Sequence, residues 1–89
     1  VPHRQAHLRH AWRAQADGLL ILAGAYADPV DGAAFVFKAD SASIVEDFVR
    51  ADPYVQAGLV ERWTVRAWTT VVGDHAHTPV LPEAAATQA

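Results

Sequence analysis

The chain has 89 residues, of which 52% are hydrophobic and 19% charged, and this length fits one small domain with a thin core. Its formal net charge is −3 and its Lys and Arg residues are spread along the chain, which excludes the concentrated basic face that nucleic acids require. The sequence has no Cys and no apolar run near the ~20 residues that cross a bilayer, so it excludes disulfides, thiolate chemistry and a membrane span, and we expect a soluble, cytoplasmic protein.

The first predicted element is a helix over residues 3–17. Pro2 suits a helix start and Gly18 is the usual left-handed stop. At about 100° per residue, the side chains expected to face the core are Leu8, Ala11, Trp12 and Gln15. Arg4 and His7 then lie along one edge of this stripe, where a side chain can face a cleft.

A β-hairpin is predicted next. Residues 19–26 are too short for a free-standing helix and are apolar on both alternating faces, which is typical of a strand covered on both sides. The segment 27–33 contains Asp-Pro and Asp-Gly turn signals, and residues 34–39 have the composition of a second strand.

A second helix is predicted from Ser41, with Ser43 and Glu46 at the spacing of a capping box. Its apolar face consists of Ile44, Val45, Phe48 and Val49. Residues 60–71 alternate in the manner of a third strand, and residues 73–89 have no period and read as an irregular tail.

The element order predicts a single α+β domain over residues 1–72, with the helices on one face of an antiparallel sheet. Two helices cover only one face, yet the strand at 19–26 is apolar on both. We therefore expect a homodimer that covers the second face, because two-fold dimers bury like surface on like.

Asp52 is the first candidate site residue. It precedes Pro53 and stands six residues before Gly58, which predicts a one-turn helix with Asp52 as its N-cap. As a cap it shapes a turn, but a carboxylate has two oxygens, so one can cap while the other holds a histidine. Tyr54 follows as a packing residue or as a pocket hydroxyl.

The histidines of the first helix give two further hypotheses. His3, His7 and His10 share one face at a spacing that can bind a metal, but the helix has no Asp, Glu or Cys in 3–16 to complete a ligand set, so we predict no metal site. His7 alone can transfer protons, or it can simply be a half-buried side chain bonded to a neighbour.

Four stretches together resemble the YCII-related family of small bacterial proteins: "RQAHL" at 4–8, "GLLILAGA" at 18–25, "DG" at 31–32 and "ADPYVQAGLVE" at 51–61. The resemblance implies a ferredoxin-like fold that pairs into a dimeric α+β barrel. The family opens with a β-strand that this chain lacks, and because the chain also has no Met, we expect that N-terminal residues are missing.

The resemblance also implies a site on each subunit. Its motif places a pocket-lining pair on His7 and Asp52, and an Arg on Arg4 that orients an anionic or phenolic ligand. Many members of the family have Gly-Pro where this chain has Gly24 and Ala25, at the end of the strand that forms the pocket wall. The resemblance therefore implies that Gly24 contributes to this wall and that Ala25 departs from the family pattern. By resemblance we expect a lyase or isomerase that acts on a ring-derived aromatic or lactone-like molecule without a cofactor. The alternative is a non-catalytic dimer that binds a small ligand or serves as an accessory module.

Overall fold

A computed structural model describes residues 2–83 of the chain. In chain order its elements are α1 (Arg4–Ala16), β1 (Leu20–Ala25), β2 (Ala33–Phe37), α2 (Ala42–Ala51) and α3 (Pro53–Gln56). The two strands form an antiparallel sheet, so the predicted α+β class is confirmed and the arrangement is compatible with a ferredoxin-like fold. No helix within the described residues has the length and apolar character needed to cross a membrane.

Glycines and caps set most of the element ends. Gly18 ends α1 at a φ of +80°, and Gly58 follows α3 at a φ of +75°, in the left-handed region that favours glycine. The predicted capping box of α2 is wrong. Ser41 is the N-cap residue but makes no side-chain cap bond, because its hydroxyl is hydrogen-bonded to that of Ser43 at 2.9 Å.

An irregularity in β1 decides which side chains face the helices. Leu20 pairs with Phe37 and Leu22 pairs with Val36, so the register shifts between Leu20 and Leu22. Because strand side chains alternate, this shift turns Leu20 towards the helices and Leu22 away from them. Leu20 is accordingly buried, whereas Leu22 is 70% exposed on the outer face of the sheet.

The core lies between α1, α2 and the inner face of the sheet. Its buried members are Ala14, Leu20 and Phe48, and partly buried Ala11, Leu19, Phe35, Phe37 and Val49 pack against them. The stripe predicted for α1 is right for Ala11, which packs against the core, but wrong for Trp12, which is 66% exposed, and for Gln15, which is also exposed. The inward face consists of His7, His10, Ala11 and Ala14.

The predicted third strand is wrong for the described chain. Residues 59–72 carry no helix or strand, although the guanidinium carbon of Arg50 lies 5.8 Å from the centre of the Trp63 ring. Alternation predicts which side of a backbone is apolar, but a strand also needs a neighbour to pair with.

Residues 73–83 are irregular and turn back, so that Val80 N–H donates to Val71 O at 2.8 Å. The predicted domain limit at residue 72 stays a prediction, and residues 84–89 of the predicted tail lie outside the described part.

Candidate active site

Asp52 occupies the junction between α2 and α3. It is the C-cap of α2 and the N-cap of α3, with φ −68° and ψ 125°. Its Oδ1 accepts a hydrogen bond from the Tyr54 backbone N–H at 2.9 Å, which is the predicted capping bond. Asp52 is the one buried charged residue in 2–83, with 8% of its side chain exposed. The cap therefore fixes a carboxylate inside the protein.

His7 bonds to the same carboxylate oxygen, so the expectation that the cap and the histidine use different oxygens is wrong. Its Nδ1 lies 2.8 Å from Asp52 Oδ1, and the imidazole is mostly buried, with 17% of its side chain exposed. An ionised carboxylate only accepts hydrogen bonds, so Nδ1 carries the proton. In the neutral imidazole Nε2 is then the lone-pair nitrogen. A histidine that can act as a general base through Nε2, while a carboxylate holds its Nδ1–H, has this arrangement.

Two aromatic rings surround the imidazole. The Tyr54 ring stacks on it with centroids 4.0 Å apart and an interplanar angle of 6°. Phe35 of β2 approaches it edge-on, with centroids 6.3 Å apart and planes at 73°. His7 therefore lies between α3 and the inner face of the sheet.

Two polar atoms of the pair remain open. Within residues 2–83 no hydrogen bond reaches His7 Nε2 or Asp52 Oδ2. In the same residues no fully buried side-chain nitrogen or oxygen lacks a partner, and 17% of the His7 side chain and 8% of the Asp52 side chain are exposed. The nitrogen that would move a proton and the second carboxylate oxygen therefore keep hydrogen-bonding capacity that no described residue uses.

The five residues expected at the site do not all meet. His7, Asp52 and Tyr54 are in direct contact. Arg4 lies one helical turn before His7 and is exposed. Its side chain therefore extends from a point near the pair, and no hydrogen bond or ion pair joins it to His7 or Asp52 within the described residues. Gly24 pairs with Ala34 across the sheet and lies on the outer face, on the side away from the helices, so it is not brought to the pair.

His10 also faces inward, and its contacts with α2 were not predicted from the sequence. Its Nε2 donates to the backbone oxygen of Phe48 at 2.8 Å, and its ring stacks on that of Phe48 with centroids 4.2 Å apart. The sequence does place His10 three residues after His7, and this spacing puts both side chains on the same side of α1. His7 and His10 thus bind different partners, and nowhere in residues 2–83 do three His, Cys, Asp or Glu side chains form a group that could hold a metal.

Two open depressions of the described surface lie away from the His7–Asp52 pair. One of about 420 Å³ lies on the outer sheet face, lined by Leu22–Tyr26, Ala34 and Val36. The other, of about 260 Å³, lies between α1 and α2, and its lining includes Arg13, Asp17 and Asp47. Neither of these two depressions encloses the pair.

Comparison with known proteins gives one match. The family model of the YCII-related domain matches residues 2–69, which is most of the chain and includes both His7 and Asp52. The comparison with curated proteins and the comparison with solved structures each returned no match. On the strength of the family model, the chain belongs to the YCII-related family.

Proposed function

We propose that this protein is a small-molecule enzyme in which His7 transfers protons and Asp52 holds it. The observation that carries the proposal is the 2.8 Å bond between His7 Nδ1 and Asp52 Oδ1. That bond leaves Nε2 as the lone-pair nitrogen of a neutral imidazole, and no residue in 2–83 forms a hydrogen bond to it. A lone-pair nitrogen on an imidazole that is supported by a carboxylate is the group that general base catalysis requires.

The reaction class we propose is elimination or isomerisation of a ring-derived substrate. His7 Nε2 takes a proton from a ring carbon, and the electron pair of that C–H bond moves into an enolate or phenolate. Asp52 stabilises the imidazolium through Oδ1, and Arg4 can lie beside the developing oxyanion. In elimination that electron pair returns to form a C=C bond, and the leaving group departs with the pair of the bond that breaks. In isomerisation the His7 imidazolium returns the proton to another carbon. Neither reaction consumes an oxidant or a reductant.

A second candidate function is a non-catalytic module that binds a small ligand. The observation that favours it is that His7 and Asp52 line neither of the two depressions described above. In that case the hydrogen-bonded pair joins α1 to the α2–α3 junction and stabilises the fold. The two functions differ in one measurable respect, which is whether His7 is needed for product or only for stability.

We also propose that the protein is a homodimer. The support is the outer face of the sheet, where Leu22 is 70% exposed and Ile21 and Tyr26 are each more than half exposed. A second copy of the same face would cover these apolar side chains. Gly24 lies on that face, so any contact of Gly24 with a ligand would involve the dimer interface rather than the His7 pair.

The test is a product assay with a panel of chlorinated hydroquinones and unsaturated lactones. Wild type and two matched variants, His7→Gln and His3→Gln, are compared by chromatography. His3 is exposed and makes no side-chain cap bond, so it controls for the loss of a helix histidine. We expect product from wild type and from the His3 variant, and a loss of about 100-fold or more in the His7 variant.

Thermal stabilisation by the same panel separates the two functions. A compound that stabilises wild type and His7→Gln equally, with no product from either, would support the binding module and contradict the enzyme proposal. Product formation at equal rates in both proteins would mean that His7 is not the proton carrier.

A further inference from the structure

Tyr54 contacts both members of the His7–Asp52 pair. Its backbone N–H donates to Asp52 Oδ1 at 2.9 Å, the oxygen that also accepts from His7. Its ring lies parallel to the imidazole, with centroids 4.0 Å apart. The same residue therefore touches the carboxylate through its main chain and the histidine through its side chain.

A single hydrogen bond does not fix the plane of an imidazole. The torsion between Cβ and the ring has a broad, two-fold preference, so the ring can turn while Nδ1 stays near its acceptor. A stacked aromatic ring removes this freedom, because a turned imidazole would collide with it on one side. Phe35 approaches edge-on at 73° and bounds the imidazole from a second direction.

The short helix α3 explains why the Tyr54 ring is in the right place. Asp52 is its N-cap and Pro53 its first residue, so the cap bond sets the position of the Tyr54 backbone relative to the carboxylate. The ring then starts from a fixed point beside the imidazole. Within the described residues the Tyr54 hydroxyl makes no hydrogen bond, so the aromatic face rather than the hydroxyl makes the contact.

We propose that Tyr54 is a positioning residue, whose ring fixes the plane of His7 and the direction of Nε2 while its backbone N–H fixes Asp52. The expected effect of Tyr54 on kcat rests on the proposed function, but its effect on the orientation of the His7 ring does not. The proposal predicts different results for two substitutions. Tyr54→Phe keeps the stacked face, and Tyr54→Leu keeps the backbone N–H but removes the face.

The experiment is nitrogen-15 and proton NMR of His7 in the ligand-free protein. Wild type and Tyr54→Phe should show one imidazole tautomer, protonated at Nδ1, with ring protons shifted upfield by the stacked ring. Tyr54→Leu should lose the upfield shift and show a mixture of tautomers. Val55→Ala, a change at the neighbouring position of α3, should leave the His7 spectrum as in wild type.

Several outcomes would overturn the proposal. One is a wild-type spectrum without an upfield shift or with mixed tautomers, which needs no variant and cannot be confused with misfolding. Another is a Tyr54→Leu spectrum that matches wild type, or a Tyr54→Phe spectrum as disturbed as that of Tyr54→Leu.

Kinetics link the proposal to the reaction. Once a substrate is found, Tyr54→Leu should lower kcat by about 10- to 100-fold with little change in KM, because only the alignment of the base changes. Tyr54→Phe should keep kcat near wild type. If no panel compound reacts with wild type, the proposed function fails, while the NMR result still decides whether Tyr54 positions His7.

Discussion

Asp52 is the residue on which the junction of the two C-terminal helices depends. A carboxylate at the end of α2 is disfavoured by the helix dipole, by about 0.3 to 1 kcal/mol. The same carboxylate begins α3, where the dipole and the Tyr54 N–H both favour it. Its bond to His7 adds a contact between residues that are 45 positions apart. The unfavourable end of one helix is thus offset by the favourable start of the next.

Substitution of Asp52 separates this structural role from the chemical one. Asp52→Ala removes the cap and leaves His7 Nδ1 without its acceptor, so we expect a loss of about 2 to 4 kcal/mol in the free energy of unfolding. Asp52→Asn keeps a good N-cap and an oxygen acceptor, so its stability should fall by about 1 kcal/mol or less. Urea denaturation followed by circular dichroism measures both. Equal losses in the two variants would contradict the assigned bonds.

The sequence predicts this residue only in part. The capping role is local, since Asp, Pro and Gly at 52, 53 and 58 define a one-turn helix by short-range rules, and the structure confirms it. The pairing with His7 is a long-range contact, and it could be expected only from the resemblance to the YCII-related family. The stacking of Tyr54 on His7 was not predicted, because a ring orientation depends on the packing of three separate elements.

At the scale of the elements, α1 holds the C-terminal end of α2. The last turn of a helix leaves carbonyl groups without partners. In α2 the Phe48 carbonyl accepts from His10 Nε2 at 2.8 Å, and the Val49 carbonyl accepts from the Asp52 N–H at 3.1 Å. The Arg50 carbonyl accepts from the Gln56 side chain at 3.3 Å. A histidine on α1 thus replaces a partner that the helix itself cannot supply.

We expect His10→Ala to destabilise the fold by about 1 to 3 kcal/mol, because it leaves the Phe48 carbonyl without its donor and removes the stacked ring. His3→Ala should change stability by less than about 0.5 kcal/mol, since His3 is exposed. Chemical denaturation of the two variants at one pH makes the comparison. A His10 variant as stable as the His3 variant would show that the bond does not hold α2.

The inward rotation of α1 explains a failure of the sequence reasoning. Hydrophobicity favours Leu8 and Trp12 as core residues and leaves histidines at the edge. The structure instead turns His7 and His10 inward, because Asp52 and the Phe48 carbonyl satisfy their nitrogens. A polar side chain can be buried when it is hydrogen-bonded, and its distant partner is not visible in the pattern of its own helix.

The third strand failed for a related reason. Residues 60–71 alternate correctly, but no residue after Asp52 is fully buried in the described chain, and within it this segment pairs with neither β1 nor β2. Pairing is a property of two segments, so one segment's pattern cannot establish it. The hairpin at 19–39 was predicted well because its two strands are neighbours in the chain, joined by residues 26–32 with their Asp-Pro and Asp-Gly turn signals.

The whole molecule is more extended than its length suggests. Its radius of gyration is 16.7 Å and its extents are 59, 31 and 21 Å. A compact domain of this length has a radius of gyration of about 12 Å. Within residues 2–83 the buried residues all lie between Ala14 and Asp52, and the outer face of the sheet is uncovered. These features favour association with a second copy through the sheet.

The dimer proposal predicts a definite mass. Sedimentation at micromolar concentration should give twice the chain mass of 9.6 kDa for wild type. Leu22→Asp places a charge on the outer sheet face and should give a monomer with unchanged secondary structure. Trp12→Gln removes an equally exposed apolar side chain from α1 and should remain a dimer. A monomeric wild type, or a Leu22→Asp dimer, would refute an interface on this face.

The claim that His7 moves a proton with Asp52 as its holder is tested most directly by hydrogen exchange in a bound ligand. Any panel compound that stabilises the protein is incubated in deuterated water, and deuterium at its ring carbons is followed by mass spectrometry and NMR. We predict exchange with wild type, a fall of about 100-fold or more with His7→Gln, and an intermediate rate with Asp52→Asn. Equal exchange in wild type and His7→Gln, or no exchange with any compound that binds, would contradict the claim.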